Sequence, residues 1–388
     1  MTVFFIVSGV GQALAGFIVD RIGAFPVHLI GLSLLVLSAV GLGCSQNYGM
    51  LLLFEAVAGL GNSVFHPSGF TILNKRVSVH RLGHAFSCHG IAGTLGWAAA
   101  PILLASLATI TSWRVALFIA AGLALTVLIA LVIKRDILDP REMVSPQCKP
   151  QEKTETRLAP ISVFGIMALP GVWMCFAFFL ITAMSNGGIQ SFAPSALNAI
   201  YGFPVALASA CITAYMLANA GGMLVGGFLA AKTVHHEKII AIAFAGAGAI
   251  SVMVASGFLP GRMIILLLAL IGFGSGIAGP SRDLLVRAAA PANATGRVYG
   301  VVYSGLDVGL SVAPLLFGAL MDAHHPRAIF MAIGAFQSLA LFTAIGIGGN
   351  TARRDGDSGQ DSFGTSGPKR EGKLSQFDGN AEPAGTPK

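Results

Sequence analysis

The sequence predicts an all-α integral membrane protein with about eleven transmembrane helices, and three observations support this fold class. Of 388 residues, 54% are apolar and only 11% are charged, whereas a soluble domain carries about 25% charged residues. The mean hydropathy is +0.76, and the apolar runs approach the roughly 20 residues that a helix needs to cross a bilayer. One apolar segment also recurs half a chain later, which indicates two related bundles.

The recurring segment is Gly59–Gly69, whose spacing of small residues returns 213 residues later at Gly272–Arg282. The two copies share the pairs Gly59/Gly272, Gly61/Gly274, Pro67/Pro280 and Ser68/Ser281. The halves also align elsewhere, at offsets of 211 and 213 residues. The matching pairs are Gly11/Gly222, Gly16/Gly227, Phe17/Phe228, Arg21/Lys232, Gly83/Gly296, Gly96/Gly309, Pro101/Pro314 and Arg114/Arg327.

Apolar runs divide the chain into two bundles with a polar segment between them. The first bundle, residues 1–133, contains five runs, at 2–19, 26–43, 49–73, 84–108 and 113–133. A charged linker is predicted at 134–159. The second bundle, residues 160–348, contains six runs, at 160–184, 204–231, 239–258, 262–286, 299–321 and 328–348. Residues 349–388 are rich in Gly, Ser, Asp and Lys and are predicted to be a disordered tail.

The two bundles differ by one helix. The internal alignment places the first run, at 2–19, on the second helix of the second bundle, so nothing at the front matches the run at 160–184. We therefore expect that the first transmembrane helix is missing from this chain.

The distribution of Lys and Arg predicts the orientation in the membrane. Loops on the side of Asp20 and Arg21 carry fifteen basic residues, with Arg282 counted among them, against three on the other side, namely Arg114, Arg262 and Arg327. Cytoplasmic loops carry such an excess, so the linker and the C-terminus are predicted to be cytoplasmic in an inner (plasma) membrane protein. The net charge of +7 does not indicate nucleic-acid binding, because the basic residues form no stripe and no binding motif accompanies them.

The segment Gly16–Gly23 carries a family resemblance. Its sequence, Gly-Phe-Ile-Val-Asp-Arg-Ile-Gly, resembles the loop signature Gly-x-x-x-Asp-Arg-x-Gly-Arg-Arg of the major facilitator superfamily. Ala24 and Phe25 replace the basic pair, and a weaker second copy lies at Gly227–Lys232, with Ala231 in place of the acid. The Ser63–Pro67 segment also resembles the fosmidomycin-resistance-like branch of drug exporters.

This resemblance implies two six-helix bundles around a central cavity, with transport by rocking of the halves about a site near the bilayer midplane. It also implies a cytoplasmic gate motif formed by Gly16, Asp20, Arg21 and Gly23. A tight turn with solvated charges is the alternative interpretation of these residues.

Three titratable residues inside apolar runs are candidates for proton coupling, because charges within a bilayer are costly and usually functional. They are Glu55, Asp307 and His89. A carboxylate such as Glu55 could bind and release a proton as its surroundings change between wet and dry. For the two acids, the structural alternative is an ion pair that only holds helices together. For His89, the alternative is a buried histidine whose ring nitrogens are hydrogen-bonded to neighbours and take no part in transport.

Uncharged polar residues in the same runs are candidates for the substrate cavity. Asn62 and His66 lie seven and eleven residues after Glu55 and therefore share its helical face. Two further pairs are spaced four residues apart and stack on one face each: Asn186 with Gln190, and Tyr215 with Asn219. Their alternative role is interhelical hydrogen bonding, which contributes about 0.6 kcal/mol on average.

Motifs for nucleotide or metal chemistry are not indicated. Gly274–Gly279 fits Gly-x-Gly-x-x-Gly but lies inside an apolar run rather than at a strand-to-helix turn, and no Gly-x-x-x-x-Gly-Lys-Ser/Thr occurs. The five cysteines are scattered and form no Cys-x-x-Cys pair. The sequence thus predicts a protein that is not an enzyme and needs neither a metal nor a cofactor.

The function predicted is secondary active transport of a small organic compound, by proton-coupled export through alternating access. The expected partners are the substrate, protons and the lipid bilayer, and the chain is expected to be a monomer. A neutral or weakly charged substrate is favoured, since no Lys or Arg is recognised in the middle of a helix. Two alternatives stay open: proton-coupled uptake of a metabolite, and a receptor or scaffold on the same fold that transports nothing.

Overall fold

Long helices connected by short turns form the part of the chain that the computed structural model describes, which is residues 2–138, 170–233, 235–290 and 294–360. Residues 139–159 of the linker predicted at 134–159, the first ten residues of the second bundle predicted at 160–348, and residues 361–388 of the tail predicted at 349–388 lie outside these residues. The first bundle contains α1 (Thr2–Ile22), α2 (Ala24–Cys44), α3 (Tyr48–Asn62), α4 (Phe65–Arg76), a single 3-10 turn (Val79–Arg81), α5 (Leu82–Ile110), α6 (Trp113–Ile133) and the short α7 (Arg135–Leu138).

The second bundle contains α8 (Pro170–Gly187), a π-turn (Gly188–Phe192), α9 (Ala193–Tyr201), α10 (Val205–Lys232), α11 (His236–Ala255), α12 (Gly261–Ala289), α13 (Thr295–Asp322) and α14 (Pro326–Gln360). Within the described residues, eleven spans are long and apolar enough to cross a membrane, five in the first half and six in the second. The predicted number of transmembrane helices is thereby confirmed.

Two of the eleven spans are interrupted rather than continuous. The span Tyr48–Arg76 breaks at Ser63–Val64, between α3 and α4. The span Pro170–Tyr201 passes through the π-turn, and it extends well past residue 184, where the apolar run was predicted to end. Polar residues such as Asn186 and Gln190 interrupt the hydropathy signal there, although the backbone stays helical. Helix α14 is likewise described beyond residue 348, as far as Gln360.

Small residues allow the helices of each bundle to approach closely. In the first bundle α2 packs on α3 and α6, and in the second α12 packs on α10 and α11. A Cβ atom at Gly61 would meet the Gly31 carbonyl oxygen, and one at Gly276 would overlap the Asn219 backbone. Packing of this kind is the main source of helix association inside a bilayer, where the lipid is as apolar as the side chains.

Two helix pairs form the most extensive contacts between the bundles, and the internal repeat relates these two pairs to each other. Helix α1 packs on α13, and α10 packs on α5. Gly16 of α1 contacts the backbone of Gly296 on α13, while Gly227 of α10 faces Gly83 on α5. Gly16/Gly227 and Gly83/Gly296 are pairs that the sequence repeat aligns, so the predicted pseudo-symmetry of the two bundles is confirmed by equivalent contacts on the two sides of the molecule.

Candidate functional site

A cavity of about 600 Å³ lies between the bundles. The first bundle contributes residues of α1, α4 and α5 to its wall, and the second contributes residues of α8, the π-turn, α10, α12 and α13. Most of its walls are apolar, with a small number of polar groups, as is typical of sites for small molecules.

The cavity ends toward the side that carries the basic loops, here called the basic side. The contacts of Gly16 with Gly296 and of Gly83 with Gly227 lie there. Further along α5, away from the basic side, a Cβ atom at Gly93 or Gly96 would meet nothing within 4 Å. The bundles are therefore in close contact on the basic side, and α5 faces open space further along its length.

Asp20 closes the basic side with an ion pair and a helix cap. Its Oδ2 accepts a hydrogen bond from Nε of Arg297 at 2.7 Å, and the side chains of Asp20 and Arg297 are only 17% and 14% exposed. Its two carboxylate oxygens also accept from the backbone N–H groups of Gly296 at 3.1 Å and Arg297 at 3.3 Å. These N–H groups belong to the first turn of α13, where a carboxylate is favoured by unsatisfied donors and the helix dipole. We call this contact the latch.

Arg21 and Gly23 of the predicted gate motif lie at the end of α1 and directly after it. Gly23 has a φ of 105°, a conformation that side-chain-bearing residues rarely adopt. Arg21 lies exposed at the end of α1. The structure therefore places Asp20 against the second bundle and Arg21 on the exposed surface of the last turn of α1. The gate function of the motif stays a prediction.

The end of the cavity nearest the latch is formed by a charged cluster on α12 and α13, called the floor cluster: Arg282, Asp283 and Tyr303. Nε of Arg282 donates to Oδ1 of Asp283 at 2.9 Å, and the Tyr303 hydroxyl donates to the same oxygen at 2.7 Å. The guanidinium carbon lies 4.6 Å from the centre of the Phe179 ring. All three members of the cluster line the cavity.

The assignment of Arg282 to a loop was wrong. Helix α12 continues to Ala289, so Arg282 lies inside it and reaches the cavity. The statement that no basic residue lies within a transmembrane helix is wrong for the same reason. The apolar run 262–286 already enclosed both Arg282 and Asp283, and that enclosure was the signal by which the floor cluster could have been found.

Aromatic rings continue the floor cluster across to the first bundle. The His66 ring stacks on Tyr303 with 4.4 Å between centroids, and Phe70 stacks on Tyr299 at 4.9 Å with an interplanar angle of 7°. Asn74 donates to the Tyr299 hydroxyl at 3.3 Å. Helix α4 is thus held against α13 directly beneath the cavity.

Asp307 lies in a second polar contact between the bundles. Its side chain is buried, and Oδ2 accepts a hydrogen bond from the Ser8 hydroxyl at 2.8 Å. The same Ser8 oxygen accepts from Nδ2 of Asn62 at 2.9 Å. The chain Asn62–Ser8–Asp307 joins α3, α1 and α13. Ser8 was not recognised from the sequence, since a serine in an apolar run carries no signal of its own.

The remaining candidates have different surroundings. His66 and His89 both line the cavity, and Glu55 is a half-buried residue of α3 that is not among the lining residues. The amide candidates Asn186, Gln190 and Asn219 line the cavity together with Tyr215.

Hydrogen bonds connect these amides across helices. The Tyr215 hydroxyl donates to Oδ1 of Asn186 at 2.6 Å, and Nδ2 of Asn219 donates to the Gly272 carbonyl at 3.2 Å. Gln190 lies within the π-turn, and such turns are frequent at functional sites. Their substrate contacts stay a prediction.

Two pseudo-symmetric bundles of transmembrane helices around a central cavity define the class of membrane carrier proteins. The sequence profile of the Major Facilitator Superfamily matches residues 1–314, and the chain belongs to this family of transporters. The expected fold class and family are thereby confirmed.

Proteins of different reported function are similar to the chain. A probable nitrate/nitrite transporter of Mycobacterium tuberculosis, NarK2, is 25% identical over 82% of this chain and 78% of its own length. The multidrug resistance protein MdtH of Shigella boydii is 25% identical over 89% of this chain and 82% of its own length. The crystal structure of the Escherichia coli fucose:proton symporter FucP has a TM-score of 0.68 at 14% identity, covering 89% of each chain. This last similarity concerns the fold alone.

Proposed function

We propose that the protein is a secondary active transporter that exports a small organic compound in exchange for protons by alternating access. The observation that carries the proposal is a cavity of about 600 Å³ between the bundles, with the latch at Asp20 on one side of it. Alternating access requires states in which a central cavity is closed off on one side of the membrane, and the latch closes this cavity on the basic side.

The buried contact of Asp307 supports proton coupling. An ionised carboxylate in a membrane interior is costly unless it is well paired, and the hydrogen bond that the structure gives Asp307 comes from a single hydroxyl, that of Ser8. Proton binding would remove this cost, and the residue lies where the two bundles meet, so its protonation state can bias which bundle arrangement is favoured. Glu55 and His89 stay alternative coupling residues.

The relatives favour transport but do not agree on a substrate. One is named for multidrug resistance, one for nitrate/nitrite, and a protein of similar fold is a fucose:proton symporter. Export accords with the first of these names, and proton-coupled uptake with the last. The direction of transport therefore has to be measured.

Flux in proteoliposomes tests the proposal. The full chain is reconstituted, a pH gradient of either sign is imposed, and accumulation of a panel of radiolabelled small organic compounds is measured. We expect at least one compound to move against its gradient when the lumen is acidified, opposite to the proton flow, and to stop when an uncoupler is added. Movement in the same direction as protons would replace export with uptake. A complete lack of gradient-driven flux would favour the receptor or scaffold alternative.

A further inference from the structure

The cavity exposes one strong cation to whatever it contains. Of the lining residues that the structure describes, Arg282 is the only Lys or Arg. Its side chain is 26% exposed, whereas that of its neighbour Asp283 is 6% exposed. A molecule that reaches the floor of the cavity therefore meets the guanidinium before the carboxylate.

The carboxylate is already occupied by donors. Oδ1 of Asp283 accepts from Nε of Arg282 and from the Tyr303 hydroxyl. Both donors bind the same oxygen, and a cationic ligand that approaches the other oxygen would still be repelled by the positive charge of Arg282. Recognition of a cation by Asp283 is accordingly disfavoured.

The guanidinium is held in a fixed orientation with donors to spare. A guanidinium carries five N–H donors, of which the one on Nε bonds to Asp283, and the group lies over the Phe179 ring. Arginine in such a fixed position binds carboxylate or phosphate groups through two parallel hydrogen bonds.

Further features of the cavity suit the rest of an organic ligand. Nδ1 of His66 is buried and has no hydrogen-bond partner among the described residues, and its ring lies against Tyr303 of the floor cluster. Away from the floor, the walls include Trp97, Phe192 and Leu310. An acidic group at the floor with an apolar or mixed body above it would contact all of these residues.

We propose that the substrates of this cavity are organic anions whose carboxylate, phosphonate or similar acidic group binds Arg282, an inference that rests on the proposed transport function. It replaces the sequence-based expectation of a neutral or weakly charged substrate, which depended on the absence of a basic residue inside the helices. Arg282 is then the residue that determines substrate class.

Binding of matched ligand pairs to the full chain in detergent tests this proposal. The pairs are 4-nitrobenzoate with 4-nitrobenzamide, phenylphosphonate with benzenesulfonamide, and gluconate with glucose, and dissociation constants are measured by titration calorimetry. We expect the anion of at least one pair to bind about tenfold or more tightly than its neutral partner, because hydrogen bonds to a charged group exceed neutral ones. If no anion is preferred over its partner, the proposal is wrong.

Three variants identify the residue responsible. Arg282→Gln should abolish the preference, and Arg282→Lys should retain part of it. Because a lone Asp283 could destabilise the fold, the double variant Arg282→Gln with Asp283→Asn provides a neutral pair that should fold and lack the preference. Arg262→Gln is the matched control, since Arg262 is an exposed residue near the opposite end of the same helix. An anion preference that survives in the folded double variant would overturn the assignment.

Flux separates this inference from the proposed function. Gradient-driven transport of neutral compounds alone, unchanged in Arg282→Gln, would support the transporter and contradict the anion site. Anion binding that depends on Arg282, without flux of any compound, would support the site and contradict the transporter.

Discussion

Asp307 is a single buried residue that connects the two bundles through hydrogen bonds. Its carboxylate reaches Ser8 on α1 and, through it, Asn62 on α3. A hydrogen-bonded chain that joins three helices is sensitive to the charge of its last member, because the low dielectric of the interior strengthens each bond. The coupling role of Asp307 can therefore be tested at this residue alone.

We predict that Asp307→Asn strongly reduces pH-driven accumulation while preserving exchange of substrate across the membrane. Asparagine can still accept the Ser8 hydrogen bond, so packing is kept, but it cannot bind a proton. A typical coupling free energy of about 1 to 3 kcal/mol between two ligands corresponds to a loss of accumulation on the order of tenfold. The measurement is uptake with and without a pH gradient in proteoliposomes, compared with substrate exchange at equal pH.

The same assay compares the other two coupling candidates. If Asp307 carries the proton, both Glu55→Gln and His89→Gln keep the coupling residue, and the coupling free energy of at least about 1 kcal/mol is retained. Gradient-driven accumulation by these two variants should then stay within about twofold of wild type. Normal pH-driven accumulation by Asp307→Asn, together with its loss in Glu55→Gln, would instead assign coupling to Glu55.

At the scale of single elements, the first turn of α13 depends on a residue of another helix. Its cap residue, Ala294, makes no side-chain hydrogen bond, and Asp20 of α1 accepts from the N–H groups of Gly296 and Arg297 instead. Capping from the opposite bundle satisfies these donors only while the bundles touch. The N-terminus of α13 therefore favours the arrangement in which the two bundles touch on the basic side.

Replacing Asp20 with Asn is predicted to weaken this closed arrangement. The ion pair is lost and the cap is reduced, which should cost on the order of 1 to 2 kcal/mol and raise the open population about tenfold. Spin labels are attached at Ile22 and Lys232 in a variant without native cysteines. Both residues are exposed and lie near the latch end of opposite bundles. Pulsed electron paramagnetic resonance should report the opening as longer distances between the two labels. Unchanged distances in Asp20→Asn would show that the latch does not hold the two bundles together.

Close packing of α1 on α13 gives a second prediction for these elements. A Cβ atom at Gly16 would overlap the backbone of Gly296, whereas one at Gly122 on α6 would meet nothing within 4 Å. Gly16→Ala should lower stability by about 1 to 3 kcal/mol through overpacking. Gly122→Ala, the matched control, should be neutral or stabilising by up to about 1 kcal/mol, since alanine favours helix. Thermal unfolding in detergent measures both, and equal melting temperatures would argue against a tight contact at Gly16.

At the scale of the whole molecule, much of the fold follows from two properties of the sequence. Hydropathy predicts the number of spans, because each must bury about 20 residues in lipid. The repeat predicts which surfaces touch, because residues that align between the halves, such as Gly16 and Gly227, occupy equivalent contacts between the bundles. Both signals are local or periodic, so they can be read from one chain.

The contacts of the floor cluster with Phe179 and His66, and the chain from Asn62 to Asp307, could not be predicted in this way. They pair side chains that lie far apart in sequence: Ser8 and Asp307 are 299 residues apart. Arg282 was assigned to a loop because hydropathy averages over many residues and cannot show that a charged side chain is accommodated by Asp283 and Phe179 inside a helix. The π-turn likewise has no pattern of its own.

The orientation of the whole molecule provides the last prediction, and the corrected position of Arg282 does not change it. Without Arg282, the sequence still assigns fourteen basic residues to the loops and helix ends of the basic side, against three on the other side. The positive-inside rule therefore predicts that the latch faces the cytoplasm. Exposed Cys44 ends α2 on the opposite side. A membrane-impermeant maleimide should therefore label it in right-side-out vesicles at least about tenfold faster than in inside-out vesicles, as expected when a bilayer separates reagent and thiol.

The labelling requires a protein in which the other four cysteines are replaced by serine, so that Cys44 is the only thiol. Cys44→Ser in this background gives a protein without cysteines, which serves as the blank. Lys232→Cys added to the blank is the matched probe for the basic side, because Lys232 is exposed and is the last residue of α10. Its labelling should show the reverse preference. Reversal of both results would place the latch on the outer face. The closed side would then face outward, so that the substrate would leave or enter on that face only after Asp20 and Arg297 separate.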